Sequence, residues 1–139
     1  MKLIEKILIE ENLNESMKRV EANKGVSGVD KMQVSDLECY LKEHKEEIKT
    51  SIMEMKYKPQ PIRRVYIPKP NGKKRPLGIP TVADRVIQQA IAQVLSQIYD
   101  ASFSENSYGF RPNRSAHDAL DKVLIYLNEG FEWVIALDI

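Results

Sequence analysis

Between Tyr57 and Thr81 the sequence gathers Lys58, Arg63, Arg64, Lys69, Lys73, Lys74 and Arg75 without one carboxylate among them. Such a concentration suits a polyanion, since lysine offers a phosphate a point charge and arginine a two-pronged fork. The alternative is a solvated loop whose lysines keep an edge strand soluble. The lack of acidic neighbours favours the first reading, because solvated surfaces mix their signs. A different chemistry is available at Asp138, which follows the apolar run Trp133-Val134-Ile135-Ala136-Leu137. A carboxylate in apolar surroundings needs a positive partner. A divalent cation such as Mg²⁺, held jointly by one or two carboxylates and substrate phosphates, is one candidate; capping the next element or pairing with an arginine is the other. The segment Ser107 to Arg114 is a third candidate, combining Tyr108 and Phe110 with Gly109, Arg111 and Arg114. Rings, close backbone approach and cations are what a single-strand contact surface requires. Phe110 fits stacking and plugging of a core equally well, and His117 fits phosphate contact and support of a helix cap.

These residues need elements to position them. Asn71-Gly72 separates Arg64-Val65-Tyr66-Ile67 from Leu77-Gly78-Ile79. That order predicts a tight hairpin with both central residues at positive φ and the cations around its tip. Apolar residues from Leu3 to Val20 recur at helical spacing, with Asn12 and Asn14 as a break or cap, and the Gly-rich stretch Asn23 to Asp30 must be a loop. A helix is expected from Ser35, with Glu38 completing its capping box and Cys39 as a packing residue; His44 falls on its inner rim. Thr81 with Asp84, and Ser115 with Asp118, give the same cap spacing. The first opens a stripe from Val82 to Ile98 whose other face carries Arg85 and solvated glutamines. The second opens a helix with Leu120, Val123, Leu124 and Leu127 inward, ended by Gly130. Phe131 to Ile139 is expected to be a strand buried on both faces.

The chain of 139 residues is large enough to bury a core without disulfides or metal. Its net charge of +1 hides a separation of signs. Met55 to Ala83 carries only basic charges, whereas the flanking segments Asp36 to Glu54 and Asp100 to Asp138 lean acidic, as fits one phosphate-binding face. The lone cysteine, Cys39, cannot form an intramolecular disulfide and suits a reducing compartment. No apolar run reaches membrane-spanning length and no signal-peptide pattern opens the sequence, so no membrane partner and a cytoplasmic location are expected.

The order of RRVYIPKPNGKKRPLGIPTVADRVIQQA, SFSENSYGFRPNRSAHDAL and WVIALDI, preceded by RVEANKGVSGVD, resembles the successive early blocks of the reverse transcriptases encoded by group II introns, the intron maturase family. The resemblance covers nearly the whole chain. It implies an α+β fingers subdomain, with helices around a small antiparallel hairpin sheet, ending in the first palm strand. Residues 1–33 would form an N-terminal extension with a lid loop, 34–130 the fingers and 131–139 the palm strand. Lys69 and Arg75 would grip the triphosphate of the incoming nucleotide, with Ile139 beside it, and Asp138 would be the first catalytic, metal-binding aspartate. Asn23, Lys24 and Gly25 of the lid, together with Arg63, Arg64, Lys73, Lys74, Arg111, Arg114 and His117, would line the RNA template path. The implied activity is RNA-directed DNA synthesis on a DNA or RNA primer with deoxynucleotide triphosphates and Mg²⁺. The remaining catalytic carboxylates of the family's Tyr-Ala-Asp-Asp box, its thumb and any endonuclease module lie outside this sequence. The piece alone is therefore expected to be inactive, and to self-associate if surfaces meant for the palm are left uncovered. A non-enzymatic intron-RNA-binding or splicing module, and a reverse transcriptase of another retroelement, are the rival readings.

Overall fold

The computed structural model describes residues 2–137. In chain order these form α1 (Leu3–Ile7), α2 (Glu10–Ala22), a 3₁₀ turn (Val34–Asp36), α3 (Leu37–Met53), β1 (Arg63–Pro68), β2 (Lys74–Ile79), α4 (Val82–Tyr99), a second 3₁₀ turn (Asp100–Ser102) and α5 (Ala116–Asn128). The fold is α+β, helices with one two-stranded antiparallel sheet. It divides into two compact units between Ser96 and Gln97.

In the first unit α2, α3 and α4 bury their apolar stripes against one another. Val20, Leu37, Val82 and Val86 form one cluster, flanked by Met17, Met32, Val34 and Leu41; Leu8, Leu13 and Ala90 form a second, flanked by Ile4, Ile7 and Ile52. Residues on both sides of position 33 therefore share one core. Asn12 does not break the first helix, which breaks instead at Leu8 and Ile9. It sits inside α2 and donates from Nδ2 to the carbonyl of Ala90 at 3.1 Å, while Gln93 Nε2 donates to Asn12 Oδ1 at 2.7 Å. Gln93 is thus an inter-helix tie, unlike the solvated glutamine expected, because a long amide can satisfy a buried helix carbonyl and its partner together. The cap is displaced from Ser35 and Glu38: the Asp36 carboxylate accepts from the Gln33 N–H at 3.1 Å at the 3₁₀ turn that leads into α3, and Cys39 is exposed rather than packed. The Thr81 and Asp84 cap forms as read, with Asp84 N–H donating to Thr81 Oγ1 at 3.2 Å.

The hairpin register pairs Arg63 with Ile79, Val65 with Leu77 and Pro68 with Lys74. Its loop differs from the expected two-residue turn. Lys69 N–H donates to the Lys73 carbonyl at 2.7 Å and Gly72 N–H to the Lys69 carbonyl at 3.0 Å, a three-residue loop in which only Gly72, at φ 76°, is left-handed. Pro70 fixes the first turn position, so the loop is a turn closed by a glycine bulge. Asn71 instead accepts from the Lys73 N–H at 3.1 Å through its side chain.

In the second unit α5 is capped as read, Ser115 Oγ accepting from the Asp118 N–H at 3.2 Å, and Gly130 at φ 95° ends it. Its apolar stripe is not inward: Leu120, Val123, Leu124 and Leu127 are all exposed. Residues 131–137 are likewise not a buried strand. Trp133 is 94% exposed, and no described segment offers this stretch a ladder, because β1 and β2 pair only with each other. An apolar alternating run specifies a strand only where a neighbour completes its hydrogen bonds.

Candidate nucleic-acid interface

Both ends of the hairpin are tied to the start of α4. The outgoing end runs through Pro80 into the Thr81 cap. The incoming segment is held by Asp84, which is 3% exposed and accepts from Gln60 N–H at 3.0 Å, from Thr81 Oγ1 at 2.7 Å and from the Tyr57 hydroxyl. Burial of Tyr57, reinforced by its bond to the Asp84 carboxylate, raises the phenol's pKa well above its ordinary value. A two-stranded ribbon is marginal alone, and this anchoring at the base lets the rest project with almost every residue exposed.

Pleating sorts the cations. Directly paired residues share a face and alternate along each strand, so Arg63 and Arg75 lie on one face with Val65, Ile67 and Leu77, while Arg64 and Lys74 lie on the other with Tyr66. Lys69 and Lys73 flank the loop, bonded through their backbones. Arg63 and Arg64, expected together along a template path, are thus on opposite faces. Among the described residues none of Arg63, Arg64, Lys69, Lys73, Lys74 and Arg75 forms an ion pair.

The Asn23–Asp30 loop lies against the hairpin base. Arg63 Nη1 donates to the Ser27 carbonyl at 3.2 Å, and Arg85 Nη2 donates to the Val26 carbonyl. Gly28 is buried against the α4 cap: a Cβ there would stand 2.7 Å from Thr81 Cα and 2.8 Å from its nitrogen, so only glycine fits. Lys24 is exposed in a left-handed conformation at φ 47°, and Asn23 is exposed beside it. Arg85, grouped by sequence with solvated glutamines, is a loop-contacting residue that reading missed. The available signal was that it is the single charge on an otherwise uncharged polar helix face.

In the second unit the arginines turn inward. Arg111 donates from Nε to Asp100 Oδ1 at 2.8 Å, from Nη2 to the Asp100 carbonyl at 2.9 Å and from Nη1 to the Ser104 carbonyl at 2.9 Å, with its guanidinium over the Phe103 ring. Its hydrogen bond holds the Asp100 carboxyl below the usual carboxylate range. Arg114 donates to the carbonyls of Glu105 and Ser107 and lies over Tyr108. Both arginines staple their own loop. The side chain that this loop presents is Phe110, fully exposed at φ 58°. His117 is exposed in the first turn of α5. Asp138 and Ile139 lie outside the described residues, and among the described residues no three metal-ligating side chains converge.

Comparison with known proteins follows the same lines. Residues 67–139 match the reverse transcriptase (RNA-dependent DNA polymerase) family, a match that starts in β1 and takes in the hairpin tip, α4, the Phe110 loop and α5. The chain belongs to that family. It is 41% identical over 119 residues to protein YkfC of Escherichia coli, covering 83% of this chain and 30% of that protein. It is 47% identical over 98 residues to the group II intron-encoded protein LtrA of Lactococcus lactis subsp. cremoris, covering 68% of this chain and 16% of that protein. Nuclear intron maturase 2, mitochondrial, of Arabidopsis thaliana is 36% identical over 56 residues, 40% of this chain and 8% of that one. The chain thus spans less than a third of the length of each of these relatives.

Proposed function

We propose that this chain is the part of a group II intron-type, RNA-directed DNA polymerase that holds RNA template and primer and grips the incoming deoxynucleotide triphosphate. The observation that carries this reading is the projecting hairpin whose six cations have no acidic partner among the described residues. Cations kept free of carboxylates stay available to phosphates, and a ribbon anchored only at its base can lean over a ligand. Arg75 on one face and Lys69 at the loop are the triphosphate contacts of this reading. Arg64, Lys73 and Lys74 belong to the RNA backbone, together with Asn23, Lys24, Gly25 and His117. Phe110 stacks on an unpaired base, and Arg111 and Arg114 set the shape of the loop that presents it. Mg²⁺, when bound, would supply positive charge at the reacting phosphates, with Asp138 as its first protein ligand.

Arg75→Ala and Arg75→Lys in the polypeptide that carries this chain test the reading. Both variants should raise KM for the nucleotide while leaving template-primer affinity unchanged, and lysine should restore little because it cannot form a bidentate contact. Equal losses in both quantities would make Arg75 a backbone contact. RNA binding with no nucleotide-dependent extension by the unaltered protein would favour a non-enzymatic RNA-binding module.

A further inference from the structure

The Asn23–Asp30 loop has little to hold it in place by itself. Its Val26 and Val29 are exposed, so it is not pinned by apolar burial, and its backbone bonds at either end are local: Lys24 N–H to the Glu21 carbonyl at 3.1 Å and Lys31 N–H to the Gly28 carbonyl at 3.4 Å. What fixes it comes from elsewhere in the chain. Arg85 on α4 reads the carbonyl of Val26, Arg63 on β1 reads the next one, of Ser27, and the backbone at Gly28 presses on Thr81. The Arg85 guanidinium also fills the space a side chain at residue 25 would take.

Arg85 accepts an evident cost in that position. Its Nε is buried with no hydrogen-bond partner among the described residues, a situation that folded chains avoid unless another requirement dominates. Its nearest neighbours on this helix face, Gln88 and Gln89, are uncharged. What arginine supplies here is reach and charge directed at a loop carbonyl.

We propose that Arg85 is the positioning residue that clasps the Asn23–Asp30 loop to the hairpin base, making the exposed Lys24 and Lys31 and the hairpin cations one continuous RNA-binding face. This rests on the RNA-binding reading above, deepens it, and assigns Arg85 no contact with RNA or nucleotide.

The test uses the complete polypeptide carrying this chain, with an RNA template annealed to a DNA primer as the probe. Trypsin cleavage after Lys24 and Lys31 under native conditions reports release of the loop, and the dissociation rate of the template-primer reports its consequence. Arg85→Ala should accelerate cleavage about tenfold or more, as expected for loss of a hydrogen bond to a charged group, and should speed template-primer dissociation while KM for the nucleotide and the thermal unfolding midpoint hold. Arg85→Lys should restore part of both effects. Gly28→Ala, which pushes the loop off Thr81 without altering Arg85, should reproduce them. Unchanged cleavage in Arg85→Ala and Gly28→Ala overturns the clasp, and faster cleavage with unchanged dissociation overturns its role in RNA binding. Absence of RNA binding by the unaltered protein would instead sink the functional reading and the RNA half of this inference, while the cleavage rates still decide whether Arg85 holds the loop.

Discussion

The hairpin and the α2/α3 surface belong to one compact unit and both carry many cations, yet they use them in opposite ways. On the helices all the positive charges but Lys18 are matched: Arg19 with Glu15 at 2.9 Å, Lys42 with Glu38 at 2.8 Å, Lys49 with Glu46 at 3.1 Å, and Lys45 with Glu10. The carboxylates register it, since hydrogen bonds from Lys45 and Lys42 lower the pKa values of Glu10 and Glu38. Along β1, the loop and β2 no such partner exists among the described residues. Exposed pairs one helical turn apart neutralise each other locally and contribute little to stability. An unmatched cluster repels itself until an anion arrives, so its natural complement lies outside the chain. Under the proposed function, the pairing of basic residues rather than their number marks the nucleic-acid face.

The largest change should come from removing the support that both surfaces share. Leu37 is fully buried where α2, α3 and α4 meet; Leu37→Ala should destabilise the unit by about 2–5 kcal/mol, read by urea denaturation. A loss well under that range would mean the helices do not rely on this cluster. Separating the two surfaces takes a smaller step. Asp84→Ala strands the buried Thr81 hydroxyl, together with the Tyr57 hydroxyl and the Gln60 N–H that hold the incoming end of the hairpin. It should cost about 1–3 kcal/mol for an orphaned buried donor, and should weaken RNA binding with little change in helical content by circular dichroism. Equal damage to helices and RNA binding would show that the hairpin anchor is not a separate device.

The same anchor gives a smaller pH effect. Tyr57 has its folded pKa raised by burial and by Asp84, so above about pH 10, where the unfolded phenol ionises, the unfolded state releases its proton first. Stability contributed by the neutral phenol is therefore fully present below that pH and declines as pH rises toward the folded pKa. Tyr57→Phe should flatten this alkaline limb in denaturation midpoints taken across the range; an identical limb would assign it to other groups.

Much of this contrast was legible in the sequence. The run of cations without carboxylates, the Asn71-Gly72 turn region and the caps at Thr81 and Ser115 all form where local pattern put them, because each depends on residues close in the chain. What escaped depends on distant partners. Arg85 bonds a carbonyl 59 residues away, that of Val26, and Asn12 and Gln93 become inter-helix ties 81 residues apart. Arg111 and Arg114, which stood out by composition, also staple their own loop through backbone carbonyls and the Asp100 carboxylate, partners that no residue pattern reveals. Residues 131–137 and the stripe of α5 show the complementary limit: periodicity marks a face that can be buried, while burial itself needs a second surface.

The comparison is tested most directly by the salt dependence of RNA affinity. In the polypeptide carrying this chain, Lys73→Ala with Lys74→Ala is set against Lys42→Ala with Lys49→Ala, two lysines removed from each surface. The hairpin pair should weaken binding and reduce the slope of log affinity against log salt by roughly 0.7–0.9 for each phosphate no longer neutralised, and the helical pair should leave both unchanged. Equal slopes for the two double variants, or a larger drop for the helical pair, would contradict the claim that the unmatched hairpin cations are the polyanion site.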